Sequence, residues 1–232
     1  MDEEEKSNDV ATPRDINPLS PPPPLPRHLP LMPQPDYGTK EYWDARYLQA
    51  AEDEEFEWYG SYETFAKVVE PHVAGANFIV DVGCGNAPFS LSLPKAPTTL
   101  HFDVSPVLIE SLVARHADRT FVVGDCTQFA SVIGEDRMGT VDLVLDKGTL
   151  DALVCGPAAA TRVNDYLTGV GRAMRATPTS AFIVMTYGRE DSRLCYLDQP
   201  HLPWTVKVHH VPKPGKAEHD VHYVYECLYR VE

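Results

Sequence analysis

The sequence predicts an α/β fold: a seven-stranded, mostly parallel sheet with helices on both faces and an antiparallel hairpin at its C-terminal end. Three observations predict it. Five runs of strand length, at 78–82, 98–102, 120–123, 141–145 and 181–187, are largely apolar, as strands buried on both faces must be. Helical patterns separate most of these runs, the alternation that builds a parallel sheet with crossover helices. The last two runs, 204–211 and 221–230, alternate instead, and Pro212-Lys213-Pro214-Gly215-Lys216 between them reads as the connection of a hairpin.

The elements follow in chain order. Residues 1–36 carry ten of the 21 prolines, including the run Pro21-Pro22-Pro23-Pro24. With few apolar side chains to offset its ordering entropy, this segment is predicted to be a disordered, acidic and proline-rich tail with polyproline II character. Residues 37–232 form the single domain. Its first part, 37–72, holds Tyr42-Trp43-Asp44-Ala45-Arg46-Tyr47, an acidic run at 52–55, and Phe56-Glu57-Trp58-Tyr59; it has no evident place in the sheet and reads as a lid followed by a helix. Tyr62, Phe65, Ala66 and Val69 at i, i+3, i+4 and i+7 behind Ser61 mark that helix, capped by the serine and ending near Pro71. Ser105-Pro106 offers an N-cap with proline at the first helical position. Val163, Tyr166, Leu167, Val170 and Met174 mark one face of a later helix.

Composition narrows the function classes. The chain has 232 residues, 43% hydrophobic and 23% charged, and a formal net charge of -14. That charge opposes attraction to nucleic-acid backbones or anionic lipid and favours a basic partner. No run approaches the ~20 apolar residues of a membrane span. Met1-Asp2-Glu3-Glu4-Glu5 opposes a secretory or mitochondrial leader, so a cytoplasmic monomer is expected. Five scattered cysteines without a C-x-x-C pair indicate reduced thiols, with neither a disulfide framework nor a zinc site. His209, His210, His219 and His222 read as ordinary strand and turn histidines, and no metal site is expected.

The sharpest motif is Asp81-Val82-Gly83-Cys84-Gly85-Asn86, a buried strand entering a Rossmann-like glycine turn. Glycines there let a ligand approach the backbone at the carboxyl end of the first strand. Asp103 ends the second strand about 20 residues further on, the spacing at which a carboxylate meets both ribose hydroxyls. Asp125 ends the third, where it can accept from an adenine amine while the Cys126 backbone N–H donates to a ring nitrogen. Singly, each aspartate reads as a turn or helix cap; at successive strand ends they indicate an adenosine site. A dinucleotide wants a third glycine where Pro88 stands. S-adenosylmethionine, with a cationic sulfonium and no phosphate, suits a pocket edged by Asp81, Asp103, Asp125 and Asp146 and faced by Trp43, Tyr47, Trp58 and Tyr59. Asp146 ends the fourth strand, where it is placed to orient an incoming nucleophile as the catalytic residue. No G-x-S-x-G or H-E-x-x-H pattern supports a hydrolase.

On these residues the sequence resembles the class I S-adenosylmethionine-dependent methyltransferases. More narrowly, it resembles the methyltransferase-like protein-lysine methyltransferases of translation elongation factor 1-alpha and their mitochondrial relative acting on citrate synthase. The motifs are Tyr42-Trp43-Asp44-x-Arg46-Tyr47, Phe56-x-Trp58-Tyr59, Val82-Gly83-Cys84-Gly85-Asn86, Asp103-Val104-Ser105 and Asp146-Lys147-Gly148-Thr149-Leu150-Asp151-Ala152. The resemblance implies a cofactor shell of Trp43, Tyr47, Trp58, Gly83, Asp103, Val104, Asp125, Cys126 and Lys147, and transfer of a methyl group to a lysine of a protein, basic around the target. Segment 172–180 lacks the family's L-x-P-G-G turn, although Pro178 can end the preceding helix. Loop 188–203 and the hairpin, where substrate choice is expected, match only in outline. A cofactor-binding scaffold without catalysis and a small-molecule methyltransferase are the alternatives.

Overall fold

A computed structural model describes residues 35–50, 56–86, 88–93, 98–217 and 219–231. The proline run and the acidic run at 52–55 lie outside the described residues. Helices α1 (Lys40–Gln49) and α2 (Tyr62–Val73) precede strand β1 (Phe78–Val82), short helix α3 (Pro88–Leu91) and β2 (Thr98–Asp103). Then come α4 (Pro106–Arg115), β3 (Thr120–Val123), α5 (Phe129–Ile133), β4 (Leu143–Lys147), α6 (Thr149–Cys155) and α7 (Ala159–Ala173). The chain closes with β5 (Ala181–Thr186), α8 (Glu190–Leu197), β6 (Trp204–Pro212) and β7 (Val221–Tyr229).

The strands form one seven-stranded sheet in the order β3-β2-β1-β4-β5-β7-β6. The first five run parallel, and β7 lies antiparallel between β5 and β6. Strand order reverses between β1 and β4, the switch point at which open α/β sheets bind ligands. Register puts Val82 of β1 opposite both Phe102 and Asp146, so the glycine turn, Asp103 and the end of β4 emerge along one sheet edge.

Period-two alternation supplies two cores. Phe78, Val80 and Val82 face α5, α6 and α7, against Phe129, Leu150, Leu153, Tyr166 and Val170. Ile79, Leu143, Leu145 and Ile183 face the other way, against Phe65, Val68 and Val69 of α2. Burial on both faces is why the central strands carry no polar stripe. At Asp81 and His101 this pattern is broken by a buried pair, with His101 Nδ1 3.1 Å from Asp81 Oδ2.

Several local expectations shift. Helix α2 continues past Pro71 to Val73, because a proline so near the end costs little and the Ala74 N–H closes the last turn on the Glu70 carbonyl at 3.1 Å. Ser61 makes no side-chain cap; its hydroxyl donates to Glu63 at 2.5 Å. Strand β4 starts at Leu143, since Val141 bridges Met174 and the Asp142 carboxylate accepts the N–H groups of Asn77 and Phe78 at 2.9 and 3.1 Å. That bridge also ends α7 at Ala173, before Pro178 is reached. Segment 188–203 contains helix α8, held down by buried Leu197, whose carbonyl accepts the Trp204 indole N–H at 2.9 Å. Ser105 caps α4 as its sequence requires, accepting the Leu108 N–H at 3.5 Å behind Pro106.

Candidate active site

A cavity of about 720 Å³ opens at the carboxyl edge of the sheet. Its floor is the glycine turn. Gly83 and Gly85 have φ of 58° and 60°, left-handed values that favour glycine. A Cβ on Gly83 would stand 2.0 Å from Thr149 Oγ1, whereas one on Gly85 would meet only Tyr47 Oη, at 3.7 Å. The first glycine lets α6 press on the turn, where Thr149 donates to the Val82 carbonyl at 2.8 Å. The second leaves the cavity open beside the backbone.

The sequence-predicted aspartates divide into two pairs. Asp103 and Asp125 line the cavity. Asp103 is buried and accepts the Gly85 N–H at 3.2 Å and the Ser105 N–H at 3.0 Å. Burial pushes its carboxyl up to about 6, against the lowering effect of those two N–H groups. Asp125 Oδ1 caps the 3-10 turn Cys126–Gln128, accepting the N–H and hydroxyl of Thr127, both at 2.9 Å. Its Oδ2 accepts from none of the described residues, and Cys126 lies beside it on the wall.

Asp81 and Asp146 do not line the cavity, contrary to the expectation that they edge it. Asp81 is 3% exposed and turned onto His101 within the sheet. Asp146, expected at the reacting nucleophile, has no exposed surface. Its oxygens accept the Thr149 N–H at 2.8 Å, the Leu150 N–H at 3.0 Å and the Tyr166 hydroxyl at 2.9 Å. It therefore caps α6 from inside the fold, and burial pushes its carboxyl up to about 7 despite the Tyr166 hydrogen bond.

The N-terminal segment forms the opposite wall. Trp43 donates its indole N–H to the Tyr37 carbonyl at 2.7 Å and stacks with Tyr47, while Trp58 packs edge-on against Tyr37 and Trp43. The segment is tied down at several points. Ser105 donates to Asp44 at 2.6 Å, and Arg162 donates to the Gly38 carbonyl at 2.6 Å. Glu57 pairs with Lys147 at the end of β4. Val104 and Lys147 complete the set of sequence-predicted wall residues.

Sequence reasoning passed over the far end of the cavity, beyond β4 and β5. There Asp151, on the first turn of α6, accepts hydrogen bonds from four neighbours in three segments. Tyr59 Oη donates at 2.5 Å, the Tyr187 N–H at 2.9 Å and Arg193 at 2.6 and 3.1 Å, with Thr186 Oγ1 as a further donor. The signal was present in the second aspartate of Asp146-Lys147-Gly148-Thr149-Leu150-Asp151, which the first overshadowed. Arg162 and Arg193 had no local signal at all.

This donor set fits S-adenosylmethionine. Asp103 and the Oδ2 of Asp125 are acceptors for ribose hydroxyls and a base amine, and Gly85 leaves room that a Cβ would fill. Lys147 and Arg193 are both paired to carboxylates, so aromatic faces are left to meet a sulfonium. Helix α3 spans four residues, too short an N-terminus for a pyrophosphate site.

No model of a known protein family matches the chain. Curated relatives do; among them, EEF1A lysine methyltransferase 4 of Bos taurus is 30% identical over 191 residues, 77% of this chain and 73% of that protein. The chain belongs to the EEF1A lysine methyltransferase family. The Mus musculus member is 29% identical over 181 residues, covering 74% of this methyltransferase and 69% of its own length. Among solved structures, the N-methyltransferase NodS of Bradyrhizobium japonicum in complex with S-adenosyl-l-homocysteine superposes with a TM-score of 0.60 at 11% identity. It covers 85% of this methyltransferase and all of that chain. The superposition shows the fold.

Proposed function

We propose that this methyltransferase modifies a lysine of translation elongation factor 1-alpha, the protein named in its relatives. The observation that carries the reading is one cavity running from Asp103 and Asp125 to Asp151 and Tyr187 beneath an aromatic wall. In this reading Asp103 takes the ribose, and Asp125 and Cys126 the adenine. Gly83, Gly85, Val104 and the Lys147 stem line the backbone side, and Trp43, Tyr47 and Trp58 cover the opposite face. When bound, S-adenosylmethionine supplies an electrophilic methyl group. The far end is then left for the target side chain. The protein acts as a cytoplasmic monomer, and its net charge of -14 favours a substrate basic around the target lysine.

The wall residues act on the proton. A free lysine has a pKa of about 10.4, so its amine is protonated at neutral pH and has no lone pair to donate. Tyr59 and Trp58 remove water from the entering side chain, and desolvation disfavours its charged form. Arg193 adds no net charge there, because Asp151 neutralises it. Asp146 acts from inside the fold, holding the first turn of α6 and thereby the place of Asp151. Catalysis by these residues is chiefly positioning.

The test is incubation of the full chain with methyl-labelled cofactor and purified elongation factor 1-alpha, with a cytosolic extract in parallel. Label on a lysine of the purified factor is expected. Label confined to another protein, or to the small-molecule fraction, would overturn the substrate.

A further inference from the structure

Beyond the cofactor walls, the far end of the cavity poses a chemical question: which group holds the amine? The carboxylates there are occupied. Asp146 is enclosed in the fold. Both oxygens of Asp151 accept from Tyr59, Thr186, Tyr187 and Arg193. Glu57 pairs with Lys147 through Oε1, and its Oε2, which has no partner among the described residues, is enclosed by protein and does not line the cavity. An amine entering this end needs an acceptor for its N–H, and Tyr59 carries one.

The Tyr59 ring lies against Gly148, where a Cβ would stand 3.0 Å from the ring and 3.1 Å from the hydroxyl, and it meets Tyr187 edge-on at 4.5 Å between centroids. Gly148, at φ 91°, is the residue that makes room for it. The phenol donates its single proton to Asp151 at 2.5 Å. A hydroxyl has one proton and two lone pairs, so a phenol committed to Asp151 as donor presents itself to every other group as an acceptor. Burial, followed by the charge of Asp151, holds the Tyr59 phenol far above the ordinary tyrosine range, so it keeps that proton at every working pH.

We propose that Tyr59 is the residue that holds the target amine, accepting one of its N–H bonds, and that Asp151 is a positioning residue that fixes the phenol in the accepting orientation. The inference rests on the lysine reading above, but its ligand is a primary amine of any origin. A neutral amine held by one N–H keeps its lone pair directed away from the phenol. The Tyr59 ring shields it from water on one side. Arg193 and the Tyr187 N–H satisfy the remaining lone pairs of Asp151, so the carboxylate does not compete for the amine as an ion-pair partner.

The experiment uses the full chain and n-butylamine as a stand-in for a lysine side chain, titrated by NMR alongside methyl transfer to elongation factor 1-alpha. Tyr59→Phe keeps the ring on Gly148 and Tyr187 and removes one of several donors to Asp151, so the protein should stay folded with only a small drop in melting temperature, and S-adenosylhomocysteine affinity should change less than amine binding. The wild type should bind n-butylamine in the millimolar range, and Tyr59→Phe about tenfold more weakly, the loss of one buried hydrogen bond. Turnover at saturating protein should fall at least as far. In an Asp151→Asn background, Tyr59→Phe should cost less than about twofold, because residues acting through one another are non-additive. Wild-type and Tyr59→Phe proteins that bind the amine equally, no amine binding by the wild type, or full additivity with Asp151→Asn would each overturn the proposal. A wild type that binds n-butylamine but labels no lysine of the factor overturns the substrate and leaves Tyr59 standing.

Discussion

The Asp146 carboxylate accepts the Tyr166 hydroxyl at 2.9 Å, and neither side chain is exposed to solvent. A helix on one face of the sheet thereby sets the end of β4 and the cap of α6 together. Asp146→Ala would leave the Tyr166 hydroxyl and the first N–H groups of α6 without partners, at a cost of about 2–4 kcal/mol. Tyr166→Phe removes one of several donors and should cost about 1 kcal/mol. Urea denaturation measures both, and an Asp146→Ala protein as stable as the wild type would contradict the capping role.

Cofactor affinity should depend on the charge of Asp103. Burial raises its carboxyl to about 6, and only the ionised form offers acceptors to both ribose hydroxyls. Affinity is therefore full above that pH and lost below it, falling about tenfold for each further unit. Calorimetry with S-adenosylhomocysteine at pH 7 and pH 5 reads the change. Asp103→Asn should bind weakly at both pH values with the dependence gone, and Asp103→Ala should lose roughly 1.5–3 kcal/mol of binding at pH 7.

The two glycines of the turn should fail differently. Gly83→Ala forces a Cβ to 2.0 Å from Thr149 Oγ1 at φ 58°, so both stability and cofactor binding should drop. Gly85→Ala meets no close neighbour and should cost about 1–2 kcal/mol of left-handed strain. Gly85→Arg should fold with a similar penalty and abolish cofactor binding by filling the cavity. Thermal melts paired with calorimetry separate the two effects.

Trp58→Ala should weaken cofactor binding, since its ring joins Tyr37, Trp43 and Phe56 in the wall and carries the Arg46 guanidinium at 5.0 Å. Removal of residues 1–36 should leave that affinity unchanged, because among the described residues the cavity lining begins at Tyr37. Equilibrium titration of the two proteins decides; lost binding in the truncated protein would give the tail a part in the site.

The sheet was legible because its signals are local. Runs such as Phe78–Val82 are buried on both faces and are apolar but for Asp81, which is paired to His101, and Ser105-Pro106 declares a helix start by its own chemistry. The cofactor end was legible for a related reason. Gly83, Gly85, Asp103 and Asp125 each lie at or just past the end of a strand, and parallel register brings strand ends to one edge. Strand-end position alone could not separate Asp103 from Asp146. Both end strands, but Asp146 lies over the α6 N–H groups and under the Tyr166 hydroxyl, whereas Asp103 remains at the cavity.

The sequence by itself therefore determined the parallel sheet, the glycine turn and the choice of an adenosine-bearing cation over a dinucleotide, all of which follow from residue chemistry within a few positions of a strand end. Tertiary structure alone decided which carboxylates face the cavity, and it assembled the Asp151 cluster from Tyr59, Thr186, Tyr187 and Arg193. Those partners lie up to 92 residues away in the chain. No periodicity or spacing encodes such a meeting, because it depends on how α6, the end of β5, α8 and the N-terminal segment pack at one corner.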